Sequence, residues 1–317
     1  HVVQAYLDKN AAFSPLVSEA AGEDALGVLV SVLGSCKRTT LNAMDQHQLE
    51  MLMQRLIAYR HIESASRCLA AVFNKVDISN NAFNQWVNQA IAFDAPTAPG
   101  VKTMSWIGKS LVMRGHKSGE KFVQKIFEAL QHEGGRSVSD MACASLPLIL
   151  QDSKDVLSDS CDTNKTLFFK QRFFESILSK LKSKLEDVDR TLRANHIKAV
   201  LLLAKHVPTS ALDSHMATIL PLTIEAVSSK DNGLSISALK TFLAVLERSR
   251  SDVEEHLDTV VPAILRLTRS SQNKNAEDRL LALTAMLTFL KYPYLLIHPY
   301  KARVLKGLEE PIGDRSR

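Results

Sequence analysis

A chain of 317 residues is longer than one compact core usually accommodates, so either two domains or an extended repeat array is expected. Its apolar fraction of 45% suits a globular protein, while 12 glycines and few clustered β-branched residues argue against a large sheet. The net charge of +5 is modest and unevenly placed: residues 1–100 hold 7 Lys/Arg against 9 Asp/Glu, whereas residues 165–205 hold 10 against 4.

No apolar run approaches the roughly 20 residues of a membrane span, and the start shows no charged, apolar and small-residue leader. A soluble intracellular protein is expected. Cys36, Cys68, Cys143 and Cys161 lie far apart with no Cys-x-x-Cys pair, which points to reduced, partly buried thiols rather than a disulfide framework or a zinc site.

The first hundred residues read as three or four helix pairs. Ala25 to Leu33 is almost continuously apolar and predicts a buried helix closed by Gly34-Ser35. Gln48 to Tyr59 sets Leu49, Leu52, Met53 and Leu56 at helical spacing, and Ile62 to Val76 does the same with Ala65, Cys68, Leu69 and Val72. The polar run Asp77 to Asn81 offers an N-cap for a helix over Phe83 to Phe93.

Ala95-Pro96-Thr97-Ala98-Pro99-Gly100 predicts a break, because two prolines and a glycine do not continue a helix. Beyond it, Val101 to Met113 carries Trp106, Ile107 and Leu111 on one side, and Lys121 to Leu130 carries Phe122, Ile126 and Phe127 before Gly134-Gly135. Ser139 to Leu150 predicts another helix, kinked or shortened at Pro147.

From Gln151 to Asn164 the chain is rich in Asp and Ser, and it leads into Leu167 to Phe174, where Phe168, Phe169, Phe173 and Phe174 crowd into seven residues. Aromatics beside arginine are typical of interface anchors. Core filling by Phe169, Phe173 and Phe174, with Lys170 and Arg172 turned outward, is the favoured reading. The basic run Lys165, Lys170, Arg172, Lys180, Lys182 and Lys184 meets only Glu175 and could face phosphate, although a solvated helix face has the same composition.

Between Asp187 and Leu290 one helical pattern recurs. His196 to Lys205 aligns on Ala238 to Glu247 and on Ala282 to Lys291, at offsets of 42 and 44 residues. Alternating with it are apolar runs holding Pro221, Pro262 and Pro299, spaced by 41 and 37. A period in the low forties with two helices per unit predicts an all-α HEAT or armadillo solenoid, in which each unit buries its apolar face only by stacking on the next. One array over 1–317 is expected, with irregular repeats at 1–94, the loop at 95–100, and repeats at 101–317 that are most regular over 187–310. The register makes a ladder: Arg193, Ser235 and Arg279 share one position on successive second helices, and Lys198, Lys240 and Thr284 share another. Such positions line the concave face of a solenoid, so a basic, hydroxylated docking stripe is expected.

Ten histidines are scattered, and no zincin, nucleophile-elbow, phosphate-loop or dinucleotide signature is present. Glu254, Glu255, His256 and Asp258 form the densest polar cluster and read as the acidic opening of a helix. No catalytic residue, metal ligand or cofactor is expected.

Tyr292 to Ile312, followed by Asp314 and Arg315, resembles the closing HEAT repeat of the MMS-type (methyl methanesulfonate sensitivity) repair and transcription adaptors. Phe168 to Phe174 and Ser105 to Leu111 are similar to the C-terminal domain of that family, so the likeness runs from about Val101 to the end. The resemblance implies the scaffold subunit of the cytosolic iron-sulfur assembly targeting complex, working in cytoplasm and nucleus. It implies as partners a WD-propeller subunit, a small bridging subunit, and apoproteins such as repair helicases, with no membrane and no direct nucleic-acid contact. Arg172, Tyr300 and Lys301, from the segments that carry the likeness, join Arg193, Lys198, Lys240 and Arg279 as candidate partner contacts. The chain lacks an initiator Met and stops at Asp314 to Arg317, where a last second helix would start, so a fragment of a longer chain is expected. The competing reading is a nucleic-acid-binding solenoid using residues 165–205.

Overall fold

In the computed structural model, helices dominate where apolar residues recur at three- and four-residue spacing, and the described residues contain no strand. The structure describes residues 19–92, 97–132, 136–186, 188–207, 209–246, 253–269 and 271–313. The expected features at Gly134-Gly135, at Asp187 and beyond Asp314 lie outside these residues. The chain divides into two compact units, 1–180 and 181–317.

The first unit begins with α1 (Glu19–Ser35), α2 (Arg38–Asn42), α3 (Gln46–Ala58), α4 (Glu63–Lys75) and α5 (Phe83–Ile91). Asp45 caps α3 by accepting from the His47 and Gln48 amides. Before α5 the expected side-chain cap is not made: the N-cap is Ala82, and within the polar run Asn80 closes a turn by accepting from the Ala82 amide while Asp77 accepts from the Ser79 amide. Leu49, Leu52, Met53, Leu56, Cys68, Leu69 and Val72 are all buried as their spacing requires.

Of the expected loop at 95–100, Ala95 and Pro96 lie outside the described residues. The following helix, α6 (Ala98–Met113), starts inside it, with the Thr97 hydroxyl accepting from the Gly100 amide and Pro99 in the first turn. Proline is tolerated there because a first-turn N–H has no intrahelical acceptor. Next come α7 (Gly119–Leu130) and α8 (Arg136–Ser145), the latter tightening into a 3-10 turn at Leu146–Ile149 around Pro147. The unit closes with most of α9 (Leu167–Lys184), whose last turn belongs to the second unit. Helix α6 is the hub, packing on α4, α7 and α8. Trp86, Phe73, Phe83, Phe122 and Phe174 are fully buried, each contributing about 1.5–3 kcal/mol by leaving water.

Buried cations join these repeats. Lys75 Nζ donates to the carbonyls of Leu33 (2.9 Å), Gly34 (2.7 Å) and Cys36 (2.7 Å), closing the C-terminal end of α1. Lys109 Nζ donates to the Leu148 carbonyl (2.9 Å), the Gln151 carbonyl and Ser153 Oγ (3.0 Å). Arg114 does the same for Phe73 and Val76 at the end of α4. Such carbonyls lack intrahelical donors and carry the negative end of the helix dipole, so a cation satisfies both needs.

The second unit holds α10 (Arg190–Ala204), α11 (Thr209–Asp213), α12 (Met216–Val227), α13 (Asn232–Leu246), α14 (Leu257–Thr268), α15 (Ala276–Phe289), α16 (Tyr294–Ile297) and α17 (Lys301–Ile312). Helices α12 and α13 pair, as do α14 and α15; α10, α13 and α15 stack in one layer and α12, α14 and α17 in the other. Two layers of helix pairs repeating in register are the expected HEAT architecture. Pro221 and Pro262 lie inside α12 and α14. The third proline differs: Pro299 sits in a 3-10 turn between α16 and α17, so that apolar run is broken rather than one helix. Glu254 and Glu255 precede α14, with His256 at its N-cap and Asp258 in its first turn. Phe242 and Phe289 meet with ring centroids 5.9 Å apart and tie α13 to α15.

Candidate partner-docking surface

The two rungs of the second unit do different things. On the first, each side chain turns back to the loop before its own helix. Ser235 Oγ donates to the Ser229 carbonyl (2.9 Å), and Arg279 Nη1 donates to the carbonyls of Asn273 and Lys274 (both 2.9 Å). Arg279 is 5% exposed. It is a loop brace, not a contact on a docking stripe, because its guanidinium satisfies one buried and one part-buried loop carbonyl. Arg193 combines both roles. Its Nη1 donates to Leu185, while Nε and Nη2 make a two-pronged pair with Glu225 at 2.8 Å on a half-exposed surface. That hydrogen bond holds the guanidinium pKa above its ordinary value.

The second rung is the open one. Lys198 is half-buried, Lys240 and Thr284 are exposed, and the Thr284 hydroxyl donates to the Leu280 carbonyl (2.9 Å). Lys205, an exposed residue just beyond α10, has its pKa lowered by partial burial of the ammonium and then by repulsion from Lys240 on α13. Around Thr284 the character changes: Leu280 and Leu287 are 65% and 57% exposed. The α13 equivalent of Leu280 is Ile236, which is buried. The stripe thus passes from cationic on α10 and α13 to apolar on α15. Its leucines escape a reading by rungs, yet α15 carries Leu280, Leu281, Leu283 and Leu287, more than one helix face can bury.

The remaining candidates are scattered. Burial, and then the neighbouring Asp258 carboxylate, hold the Tyr300 phenol above its ordinary pKa. Lys301 is exposed on the first turn of α17. In the first unit Phe173 and Phe174 are buried as expected, but Phe169 is half-exposed and Phe168 is 62% exposed. Lys170 is not turned outward: its Nζ pairs with Asp152 at 2.7 Å, leaving 13% of the side chain accessible. Arg172 is exposed and lines a groove of about 420 Å³ between α9, α7 and the turn at Gly115 to Lys117.

No group of three or more His, Cys, Asp or Glu among the described residues is arranged to hold a metal ion. No disulfide joins Cys36, Cys68, Cys143 or Cys161, and burial pushes the Cys68 thiol up to about 12. No described helix is long and apolar enough to cross a membrane.

Stacked helix pairs of this kind define a HEAT-type α-solenoid. In keeping with that class, the fold superposes on Kap121p with a TM-score of 0.60 at 14% identity, covering 99% of this chain and 31% of that one. It superposes on Kap121p bound to RanGTP with a TM-score of 0.57 at 15% identity, covering 97% and 31%. Within the class, the chain belongs to the MMS19 family: residues 1–290 match the family model described as RNAPII transcription regulator C-terminal. It is 25% identical over 284 residues to the MMS19 nucleotide excision repair protein homolog of Xenopus tropicalis, covering 87% of this chain and 27% of that protein. The Homo sapiens homolog is 24% identical over 338 residues, covering 100% and 32%. The DNA repair/transcription protein mms19 of Schizosaccharomyces pombe is 24% identical over 267 residues, covering 80% and 25%. The chain therefore spans about a third or less of the length of these relatives.

Proposed function

We propose that this chain is the protein-docking portion of a non-catalytic DNA repair and transcription adaptor. The observation that carries the reading is the stripe on α10, α13 and α15, cationic at Lys198, Lys205 and Lys240 and apolar at Leu280 and Leu287. An acidic, partly apolar protein surface complements both halves, with charge steering the encounter and the leucines supplying the desolvated centre. By the resemblance described above, the bound proteins are the WD-propeller and small bridging subunits of the cytosolic iron-sulfur targeting complex. Clusters reach apoproteins of repair and replication, in cytoplasm and nucleus, as cargo of that assembly.

The nucleic-acid alternative is weakened by internal pairing of the basic segment. Lys165 pairs with Asp159, Lys170 with Asp152 and Arg193 with Glu225, which leaves fewer cations to release phosphate counterions. The test is retention of the purified bridging and propeller subunits by the wild-type chain and by a Lys198→Glu, Lys240→Glu variant. Retention should fall while the melting temperature stays put. Undiminished retention removes the stripe from the reading, and duplex DNA affinity that falls steeply with salt and is lost in the same variant replaces it with the nucleic-acid one.

A further inference from the structure

The groove at Arg172 lies in the first unit, away from the rungs. Its apolar floor is Val123, Phe169, Phe173 and Ile177, drawn from α7 and α9. Its mouth carries the exposed cations Lys117, Arg172 and Lys180 against one exposed acid, Glu120. Neither Lys117 nor Arg172 pairs with any described side chain, in contrast to Lys165 and Lys170 nearby, which have acids of their own. On α9, Arg172, Ser176 and Lys180 follow one another at four-residue intervals and stand on one exposed face, while Phe173 and Ile177 behind them are buried.

The groove is held open by its own scaffold. Gly115 adopts φ +70°, and the Phe169 ring packs against it where any larger residue would collide. Arg114, next in the chain, is anchored on the α4 carbonyls and lies 5.4 Å from the Phe83 ring centroid. At about 420 Å³ the space is within the range of preformed ligand sites.

We propose that this groove binds an acidic peptide segment that inserts one apolar side chain between Phe169, Phe173 and Val123 while its carboxylates meet Arg172 and Lys117. Arg172 and Lys117, unpaired among the described side chains, call for an anionic ligand, and guanidinium suits a carboxylate in two-pronged contact. A nucleic-acid strand fits less well, because of the two floor aromatics Phe173 is buried and only Phe169 is partly exposed for stacking, and Glu120 adds a negative charge at the rim. The inference rests on the adaptor reading for its class of ligand, but on a different surface.

The probe is a short fluorescein-labelled peptide of aspartates and glutamates around one central leucine, titrated by polarisation against the full chain. Saturable binding is expected, weakened roughly tenfold or more by Arg172→Glu, by Ser176→Trp, which fills the slot from an exposed position, and by alanine in place of the central leucine. Lys230→Glu, which changes net charge equally but lies in the second unit, should leave affinity unchanged. The proposal falls if binding does not saturate, if Arg172→Glu behaves like Lys230→Glu, or if the leucine and alanine peptides bind alike. It falls equally if a single-stranded oligonucleotide, and not the peptide, shows the Arg172-dependent affinity. Failure of the subunit retention test would leave these outcomes readable on their own.

Discussion

The ring of Phe169 rests on the backbone of Gly115, with three ring atoms that would lie within 2.8 Å of a methyl group placed there. Gly115 also sits at φ +70°, in the left-handed region. Gly115→Ala therefore faces backbone strain and a steric clash together. It should cost about 2–3 kcal/mol, read as a shift of the urea midpoint without change of slope. A loss under about 0.5 kcal/mol would show that Phe169 swings away freely, and the groove with it.

Lys109 is 2% exposed and its ammonium satisfies three acceptors. Lys109→Met leaves those carbonyls without donors, and a loss of about 1–3 kcal/mol is expected. Burial first, and then repulsion by Lys170, lower the ammonium pKa from 10.5 to about 7. Between those values the unfolded chain holds the extra proton, so stability rises with pH from about 7 upward. Lys75, lowered by burial, acts in the same direction. Above pH 9 the buried Cys68 thiol opposes them, since only the unfolded chain ionises it there. Thermal midpoints from pH 7 to 8.5 should climb in the wild type and climb less in Lys109→Met.

On the acid side the histidines govern. His196 is fully buried, and burial lowers its pKa below 6.5; His116 is lowered by burial and by Arg114. The unfolded chain takes up these protons first as pH falls, so their contribution is present above 6.5 and diminishes below it. Melting temperature should fall between pH 7 and 5.5, and His196→Leu should flatten that fall whatever it does to the absolute value.

Arg279 and Arg193 occupy the same rung but should behave oppositely. Arg279→Met strips donors from two loop carbonyls, one of them buried, and is expected to cost about 2 kcal/mol. Arg193→Met breaks a half-exposed pair with Glu225, worth about 0.2–1 kcal/mol, and takes one donor from the part-buried Leu185 carbonyl, so its loss should stay below that of Arg279→Met, which strips two. Chemical unfolding of the two single variants ranks them, and equal losses would contradict the brace.

The repeat register was legible because buried second helices need the same apolar spacing each time: Val200, Phe242 and Met286, at the offsets of 42 and 44, are all inside. What periodicity does not encode is the direction a long side chain takes. Arg279 and Lys198 look alike on a helical ladder, but only the first has naked loop carbonyls within reach. Lys75 and Lys109 were invisible for the same reason. Each interrupts an apolar run, Phe73 to Val76 and Trp106 to Leu111, and the carbonyls they serve lie far along the chain. Arg172 was placed correctly as outward-facing, but the groove beneath it depends on Gly115 and on Val123 of α7, which no local pattern connects to α9.

The cation clamps also decide how the first unit yields to force. Lys75 grips carbonyls 39 to 42 positions before it, and Arg114 those 38 and 41 positions before it, so each reaches a neighbouring repeat rather than its own. Asn74 and Asn164 add a mutual lock across 90 residues, with the Asn164 amide and side chain both held at 2.8 Å. A solenoid joined only by apolar stacking can peel one helix pair at a time. Here, separating α1 from α4, or α4 from α6, strands a buried charge, so tension along the chain should meet a larger rupture force at these joints than apolar stacking alone would give.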